Sequence, residues 1–318
     1  MANSMSLEII TISDAVFGSR AKILPGIGFN CYGFSVPTPS GPLETLYAAP
    51  DFTDGTAKPT GSGIPLLFPF AGRLRGTTYK FQGKSYELEA GDGIGNAIHG
   101  FVFKRPWRVK KQEAGEVVGQ FQASVDDESI LERWPADFRI TGTYRIAGQV
   151  LTGEFLIENP DDKPLPFGLG THAYFRVPLG GHNTKGCRVK VPVSTTWELK
   201  EMLPTGRTAP AKVADELSRG MALDEMKLDT VFGGLKFDDH RLAATIHDEA
   251  SGRTLTQTFD DQFKACVVFN PPHRQAVCME PYTTIPDAFS LLDSGVDPHL
   301  RILAPGESFR TQIEIRVD

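Results

Sequence analysis

The feature that most constrains the fold of this chain is the alternation of apolar and polar residues over many short stretches. The clearest example covers residues 139–146 and 150–158, two alternating runs separated by Ala147, Gly148 and Gln149. Successive side chains of a strand point to opposite faces, so such runs predict half-buried β-strands. The short gap containing a glycine predicts that the two strands form an antiparallel hairpin.

Similar alternating runs occur along the rest of the chain. They cover residues 107–111 with 117–125, residues 242–248 with 254–259, and residues 308–317. Many antiparallel strands separated by turn signals favour a sandwich or barrel over β-α-β units. The predicted fold class is therefore all-β, a large antiparallel β-sandwich with few short helices.

Helical patterns are scarce. We expect short helices at residues 42–49 and, in pieces, within residues 209–226. Loops rich in proline and glycine are expected at residues 38–65, 179–186 and 205–210, and loops are where a β scaffold usually carries its chemistry. Neither a linker nor an internal repeat divides the sequence, so residues 1–318 are predicted to form a single domain whose first six residues are disordered.

Charge and hydropathy exclude several classes of partner. The formal net charge of −6 and the absence of a basic stripe argue against a nucleic-acid partner. No apolar run approaches the roughly 20 residues that span a bilayer, and the first residues lack a basic flank and an apolar segment, so we expect no membrane association and a cytoplasmic location. The four cysteines are far apart without a C-x-x-C pair, which predicts reduced thiols and no structural zinc.

Common catalytic motifs are missing from the sequence. The segment 91–100 is rich in glycine, but Asn96 stands where a dinucleotide-binding loop needs glycine, and no helical pattern follows it. There is no G-x-S-x-G, H-E-x-x-H or P-loop motif. Acyl transfer and metalloprotease chemistry therefore lose support, and no histidine or cysteine cluster has the spacing of metal ligands.

Five polar residues remain, each placed in apolar or glycine-rich sequence where a polar side chain is costly without a partner or a task. They are Arg73, His99, His172, Asp229 and Glu280. Arg73 is equally typical of a structural ion pair and of a ligand-binding residue. His99 alone is more typical of a hydrogen-bonded core histidine than of a ligand-binding one. The two interpretations of His172 are evenly balanced.

For Asp229 and Glu280, a structural role and a functional role both stay open. Asp229 alone is more typical of a helix N-cap than of a ligand contact. Glu280 lies on an apolar strand, where burial should raise the pKa of its carboxyl group and suit it to act as a general base. The remaining histidines lie in polar segments and are expected to be solvated: His182, His240, His247, His273 and His299.

Taken in order, several segments resemble the aldose 1-epimerase (galactose mutarotase) family. They are Pro69–x–x–Gly72–Arg73, Tyr79 to Tyr86, Ile98-His99-Gly100 with Trp107, Trp134-Pro135, Glu158-Asn159, Gly170-Thr171-His172, Leu228-Asp229 and Glu280-Pro281. The resemblance runs from about residue 21 to the C-terminus. Two positions depart from the family pattern, because members commonly have asparagine at the position of Gly72 and proline at that of Ala173.

The resemblance implies a galactose-mutarotase-type β-sandwich with an open sugar cleft. It also implies that Glu280 and His172 are the catalytic base and acid, and that Arg73, His99 and Asp229 hold the sugar. The reaction would interconvert the α and β anomers of a free aldohexose by ring opening and reclosure. Near neutral pH we expect Glu280 as carboxylate and His172 as imidazolium, with no metal, no cofactor, a small sugar as the only partner, and a monomer or homodimer.

Two other functions are compatible with the same residues. A hexose-6-phosphate 1-epimerase would use the same acid and base with cations for the phosphate, for which Arg75, Lys80 and Arg105 are available. The sequence does not place these three together, and the acidic chain offers no overall attraction for a dianion. A catalytically silent sugar-binding module is the second alternative, since a fold does not fix a function.

Overall fold

The computed structural model describes residues 7–318, so the six residues predicted to be disordered lie outside the described part of the chain. Strands make up 47% of the protein and helices 11%. The strands are β1 Ile10–Ser13, β2 Arg20–Leu24, β3 Asn30–Thr38, β4 Gly41–Glu44, β5 Leu66–Leu67, β6 Arg73–Leu74, β7 Thr78–Phe81, β8 Lys84–Glu87, β9 Ala97–Ile98, β10 Arg108–Glu113, β11 Glu116–Gln122, β12 Arg139–Ala147, β13 Val150–Glu158, β14 Leu165–Phe167, β15 Gly170–Thr171, β16 Ala173–Arg176, β17 Cys187–Lys190, β18 Thr195–Lys200, β19 Leu203–Pro210, β20 Met221–Ala222, β21 Asp229–Gly233, β22 Arg241–Asp248, β23 Arg253–Asp260, β24 Ala265–Phe269, β25 Ala276–Tyr282, β26 Arg301–Leu303 and β27 Ser308–Val317.

Helices are few and short, as predicted. The α-helices are α1 Ala123–Asp126, α2 Lys212–Arg219 and α3 Ala288–Asp293, and single turns of 3₁₀-helix cover Phe52–Asp54, Pro59–Gly61, Val102–Lys104, Glu128–Glu132 and Leu223–Glu225. Within residues 7–318, no helix is both long enough and apolar enough to cross a membrane.

Two large antiparallel sheets dominate the structure. The first has nine strands in the order β10-β11-β12-β13-β27-β23-β22-β17-β20, and the second has eight, in the order β19-β18-β21-β24-β25-β15-β5 with β16 also paired to β25. A separate four-stranded sheet has the order β1-β2-β3-β4. The all-β fold predicted from the alternation is confirmed.

The main core lies between the two large sheets. Along β12 buried and less buried residues alternate, and Phe155 and Ile313 of the neighbouring strands are buried on the same side. Val268 and Met279 of the eight-stranded sheet belong to the same apolar cluster. Because alternate residues of a strand point the opposite way, the other face of the eight-stranded sheet is left to carry polar side chains.

Several predicted elements are confirmed and two are wrong. The hairpin at residues 139–158 forms as β12 and β13, with Ala147 paired to Val150, and a helix forms within residues 209–226 as α2. The helix predicted at residues 42–49 does not form, because residues 41–44 turn back as β4 and pair with β3. The loop predicted at residues 205–210 is part of β19, which pairs with β18.

Candidate active site

Glu280 lies in the middle of the eight-stranded sheet, on β25, and its Cα is paired with that of Val267 on β24. Val277 and Met279 of β25 face the main core. Alternation along the strand therefore puts Glu280 and Tyr282 on the opposite face of the sheet. Only 2% of Glu280 is exposed, and the Tyr282 hydroxyl donates a 2.6 Å hydrogen bond to its Oε2.

His172 lies beside this carboxyl group and is the single residue between β15 and β16. Its backbone N–H donates to the Pro65 carbonyl oxygen at 3.0 Å, and its ring stacks on Tyr174 with centroids 4.7 Å apart. His172 Nε2 lies 3.3 Å from Glu280 Oε1. Nδ1 is buried without a hydrogen-bond partner, so Nε2 is the nitrogen available for chemistry.

Burial moves both members of this pair toward their neutral forms. It raises the pKa of Glu280 well above its usual range, although the Tyr282 hydrogen bond opposes the shift, and it lowers the pKa of His172 to about 3. Both shifts favour a protonated carboxyl group beside a neutral imidazole. The sequence predicted a carboxylate and an imidazolium, and burial disfavours each of these charges.

Arg73 and His99 are positioned by two very short strands, since Arg73 on β6 pairs with Ile98 on β9. Arg73 Nε donates to Asp92 Oδ2 at 3.0 Å. Burial opposes the charge of Asp92, but hydrogen bonds from Asn96, from the backbone and from Arg73 outweigh it and hold the pKa of Asp92 below its usual range. The Asp92 carboxylate thus fixes the guanidinium at the edge of the site.

Two further contacts set the position of His99. Its backbone N–H donates to the Gly72 carbonyl oxygen at 2.9 Å, and its ring centroid is 5.6 Å from that of His172. Burial, together with the nearby positive charges of Arg73 and Lys58, lowers the pKa of His99 well below its usual value. A neutral ring at this place can donate or accept a hydrogen bond.

Gly72, where the family commonly has asparagine, is tightly enclosed. Its φ angle is 71°, and a Cβ atom at this position would lie 2.7 Å from Cγ of Pro286. The other departure, Ala173, is fully buried toward the main core, away from the site.

Asp229 is the first residue of β21, where its Cα pairs with that of Phe269. The helix N-cap considered for this residue is therefore wrong, because residue 229 begins a strand. The predicted site residues Arg73, His99, His172, Asp229 and Glu280 all line one cavity of about 160 Å³. Residues separated by up to 207 positions in sequence are thus brought to one face of the sheet.

Sequence reasoning missed several residues of this cavity. Tyr282 and Tyr174 each stand two positions after a predicted catalytic residue, so the two-residue period of a strand placed them on the same face. Lys58 and Thr60 also line the cavity. They come from the first long loop, and no local pattern in the sequence marked them.

One group of residues has donor atoms close enough to hold a metal ion. The ligand atoms of His172, Cys278 and Glu280 all lie within 4.8 Å of one another. Imidazole, thiolate and carboxylate are ligands that suit zinc, but burial raises the pKa of the Cys278 thiol, which opposes its ionisation. The absence of a metal remains a prediction.

The other residues considered from sequence lie elsewhere. Of the cations suggested for a phosphate, Arg75 pairs with Asp287 at 3.2 Å and Arg105 with Asp127 at 2.5 Å. Lys80 is exposed on β7. The remaining histidines, His182, His240, His247, His273 and His299, do not line the 160 Å³ cavity.

The arrangement can move protons at two neighbouring atoms of one ligand. A carboxyl group and an imidazole that line the cavity lie 3.3 Å apart, and Arg73 and Asp229 line the same cavity. This is the set expected for acid–base chemistry on a polyhydroxylated molecule.

Comparison with solved structures agrees with the fold. The solved structure of a galactose mutarotase-like protein from Clostridium acetobutylicum is similar to this chain with a TM-score of 0.86 and 23% identity, covering 98% of this chain and 99% of the other. That of galactose 1-epimerase from Lactobacillus acidophilus has a TM-score of 0.73 and 16% identity, with coverage of 98% and 99%. Both likenesses concern the fold.

Sequence comparison identifies the family. The uncharacterised protein YphB of Escherichia coli K12 is 22% identical over 263 residues, which are 79% of this chain and 82% of YphB. The family model described as aldose 1-epimerase matches residues 36–316. The chain therefore belongs to the aldose 1-epimerase family.

Proposed function

We propose that this protein is an isomerase that interconverts the α and β anomers of an aldohexose by opening and reclosing the sugar ring. The observation that carries the proposal is the buried Glu280–His172 pair, with 3.3 Å between Oε1 and Nε2. Membership of the aldose 1-epimerase family supports it. The reaction moves protons and breaks and re-forms one C–O bond without a net oxidation or reduction, so the proposal requires no redox cofactor.

Ring opening needs a base at the anomeric hydroxyl and an acid at the ring oxygen. Moving the proton from Glu280 to His172 across their short contact gives a carboxylate beside an imidazolium. The carboxylate takes the proton of O1 while Nε2 of His172 gives its proton to O5. The C1–O5 bond breaks, and the products are an aldehyde at C1 and a hydroxyl at C5.

Burial of the pair favours this step. After ring opening Glu280 is again a carboxylic acid and His172 a neutral imidazole, which is the form that the apolar surroundings stabilise. Rotation about the C1–C2 bond presents the other face of the aldehyde, and the same transfers in reverse close the ring to the other anomer. Each proton transfer contributes roughly 10²–10⁴-fold to the rate.

The remaining cavity residues would hold the sugar during this rotation. Arg73, fixed by Asp92, can donate to sugar hydroxyls, and His99 lies beyond His172 where it can hydrogen-bond on the ring-oxygen side. Asp229 stands on β21, separated from β25 by β24, and can accept a hydrogen bond from a sugar hydroxyl. These roles explain why three polar groups surround the acid–base pair.

Glu280→Gln tests the proposal, because glutamine has the same size but accepts no proton. We expect kcat for the anomerisation of fresh α-D-glucose or α-D-galactose to fall by roughly 10²–10⁴-fold with KM little changed. Polarimetry corrected for spontaneous mutarotation measures the rate. His172→Gln should behave alike, and the double variant should be little worse than either single one, since the two groups act as a unit.

A matched control is Glu249→Gln, at an exposed glutamate in the turn between β22 and β23, which should retain the wild-type rate. If Glu280→Gln keeps more than about a tenth of the wild-type kcat, the loss is too small for a general base, and the assignment of Glu280 is wrong.

A further inference from the structure

Tyr282 lies in the active site but takes no part in the proton transfers of ring opening described above. It follows Glu280 by two residues on β25, so both side chains point to the same face of the sheet. Tyr282 is buried and lines the 160 Å³ cavity. Its hydroxyl group donates the 2.6 Å hydrogen bond to Oε2 of Glu280. A tyrosine therefore contacts the proposed base directly.

The backbone and the ring of Tyr282 are both held in place. The residue is paired with Ala265 on β24 and with Gly170 on β15. A Cβ atom at Gly170 would lie 2.6 Å from Cδ1 of the tyrosine, so the ring packs directly against the backbone of β15. The same ring belongs to an apolar cluster that includes Leu67 and Val267. This packing determines where the hydroxyl group lies.

The two carboxyl oxygens of Glu280 have different neighbours. Oε2 accepts the hydrogen bond from Tyr282, and Oε1 lies 3.3 Å from Nε2 of His172. A protonated carboxyl group carries its proton on one oxygen, and the other oxygen is the better hydrogen-bond acceptor. Because Tyr282 donates to Oε2, the proton of Glu280 is placed on Oε1, where it faces the imidazole.

The contact also changes in strength during the reaction. When the proton moves from Oε1 to Nε2 of His172, Glu280 becomes a carboxylate. A hydrogen bond to an ionised acceptor is roughly twice as strong as one between neutral groups. The carboxylate is the form that takes the proton of O1. Tyr282 therefore stabilises the reactive form more than the resting form, which is what an interaction must do to raise kcat.

We propose, on the basis of the function proposed above, that Tyr282 is a positioning residue that makes Oε1 of Glu280 the oxygen that exchanges protons. It acts through Glu280 and requires no contact of its own with the sugar. The alternative is a purely structural role, since a buried tyrosine hydroxyl needs a hydrogen-bond partner whatever the site does. The two roles differ in the effect of removing the hydroxyl group alone.

The variant Tyr282→Phe removes that hydroxyl group and keeps the packing of the ring. We expect kcat for the anomerisation of fresh α-D-glucose to fall roughly tenfold to a hundredfold, the range for a hydrogen bond to a charged group. KM should change little, because the lost interaction is made in the transition state and not with the bound sugar. Polarimetry corrected for spontaneous mutarotation measures both constants.

The variant Tyr144→Phe is the matched control. Tyr144 is a buried tyrosine on β12 in the main core and does not line the cavity. Loss of its hydroxyl group should leave kcat and KM unchanged. Urea unfolding of both variants verifies that each is folded under the conditions of the assay.

The pH dependence of kcat/KM separates a positioning role from a structural one. Loss of the hydrogen bond should raise the pKa of Glu280 further, because this bond opposes the effect of burial. The alkaline limb, where the pair loses its last proton, should therefore move to higher pH in Tyr282→Phe and stay in place in Tyr144→Phe. The variant retains the other ionisable groups close to Glu280, which are Arg73, His172, Tyr174, Asp229, Cys266 and Cys278.

Infrared spectroscopy provides a readout that does not depend on activity. The C=O stretching band of protonated Glu280 is identified as the carboxylic acid band that is lost in Glu280→Gln. A hydrogen bond to the carbonyl oxygen of an acid lowers its stretching frequency. Tyr282→Phe should therefore move this band to higher wavenumber, and Tyr144→Phe should leave it unchanged.

The inference is overturned if folded Tyr282→Phe keeps more than about half of the wild-type kcat, since this loss is too small for a hydrogen bond to a charged group. It is also overturned if KM rises while kcat is unchanged, as for a residue that only binds the sugar, or if the pH profile and the infrared band stay as in the wild type. Failure of the wild-type protein to accelerate anomerisation would contradict the proposed function itself, and this result is seen before any variant is compared.

Discussion

His172 and His99 are neutral, buried rings in direct contact with ionisable neighbours, and this has a thermodynamic cost at low pH. Burial lowers the pKa of His172 to about 3 and that of His99 well below its usual value. In the unfolded chain both rings are solvated and take up a proton near pH 6.5. Between these values the unfolded state binds protons that the folded state does not.

The two rings should therefore lower the free energy of unfolding as the pH decreases from about 6.5 toward 3, while Glu280, whose pKa burial raises in the folded state, acts in the opposite direction at pH values above its unfolded pKa. The sign follows because each ring has a depressed folded pKa, so its contribution is complete above the unfolded pKa and is lost below it. Each ring contributes a slope of about 1.4 kcal/mol per pH unit. His172→Gln should reduce the total slope by the contribution of one ring, about 1.4 kcal/mol per pH unit. Urea unfolding at several pH values measures the slope.

The exposed His182 provides the control for this measurement. His182→Gln should retain the wild-type slope. An unchanged slope in His172→Gln would mean that the folded protein protonates this ring as readily as the unfolded chain, contrary to the burial of the pair.

The predictability of the site also differs residue by residue. Glu280 and His172 were identified because each is a polar residue in apolar or glycine-rich sequence, and their order along the chain matches a family. Lys58 was not identifiable, because it lies in a polar loop where a lysine needs no explanation. Its importance comes from the packing of that loop against the cavity, which no local pattern reveals.

Among the elements, the paired strands β6 and β9 matter most for the site, although each has only two residues. They hold Arg73 and the segment that ends in His99. The following residue, Gly100, has a φ angle of 71°, and a Cβ atom there would lie 2.1 Å from the carbonyl oxygen of Phe68. The close approach of two backbones at this point requires glycine.

Gly100→Ala should therefore destabilise the protein and displace His99. The left-handed conformation alone costs roughly 1–2 kcal/mol for alanine, and the contact with Phe68 involves backbone that cannot move aside cheaply, so we expect a larger total. Thermal or urea unfolding measures the loss. Gly83→Ala is the matched control, because Gly83 has a φ angle of 79° in the β7–β8 hairpin and open space around it.

Gly83→Ala should cost only the conformational part, about 1–2 kcal/mol. Equal losses of stability in the two variants would show that the contact between Gly100 and Phe68 is not tight.

Two elements show when a local sequence pattern is sufficient to predict the secondary structure and when it is not. The β12–β13 hairpin was predictable because the alternation and the turn glycine agree. The helix predicted at residues 42–49 failed because Pro39 and Ser40 form a turn that returns the chain onto β3. The hydrogen bonds of that ladder outweigh the weak helical preference of the segment, and only the structure shows that β3 is available as a partner.

At the scale of the whole molecule, the sheets pair strands that are far apart in the sequence. In the nine-stranded sheet β13 pairs with β27, and β27 pairs in turn with β23. The main apolar cluster includes residues of both large sheets. Removing either sheet would expose the inner face of the other, so the described residues should unfold as one cooperative unit.

We therefore expect unfolding curves in urea to coincide when followed by far-UV circular dichroism and by tryptophan fluorescence. The tryptophans report from different places, because Trp107 and Trp134 lie in the main core and Trp197 lies on β18 of the eight-stranded sheet. The variant Trp197→Phe, whose remaining signal comes from the main core, should give the same midpoint by both methods. Two separate transitions would contradict the single domain predicted from the sequence.

The enclosure of Gly72 by Pro286 has a consequence for how this site can diverge. An asparagine at position 72, which members of the family commonly have, tolerates the positive φ angle but would place its Cβ 2.7 Å from Cγ of Pro286. Whether a side chain fits at position 72 thus depends on the residue at position 286. An asparagine can therefore enter position 72 only if Pro286 shifts or is itself replaced, so the two positions should change together.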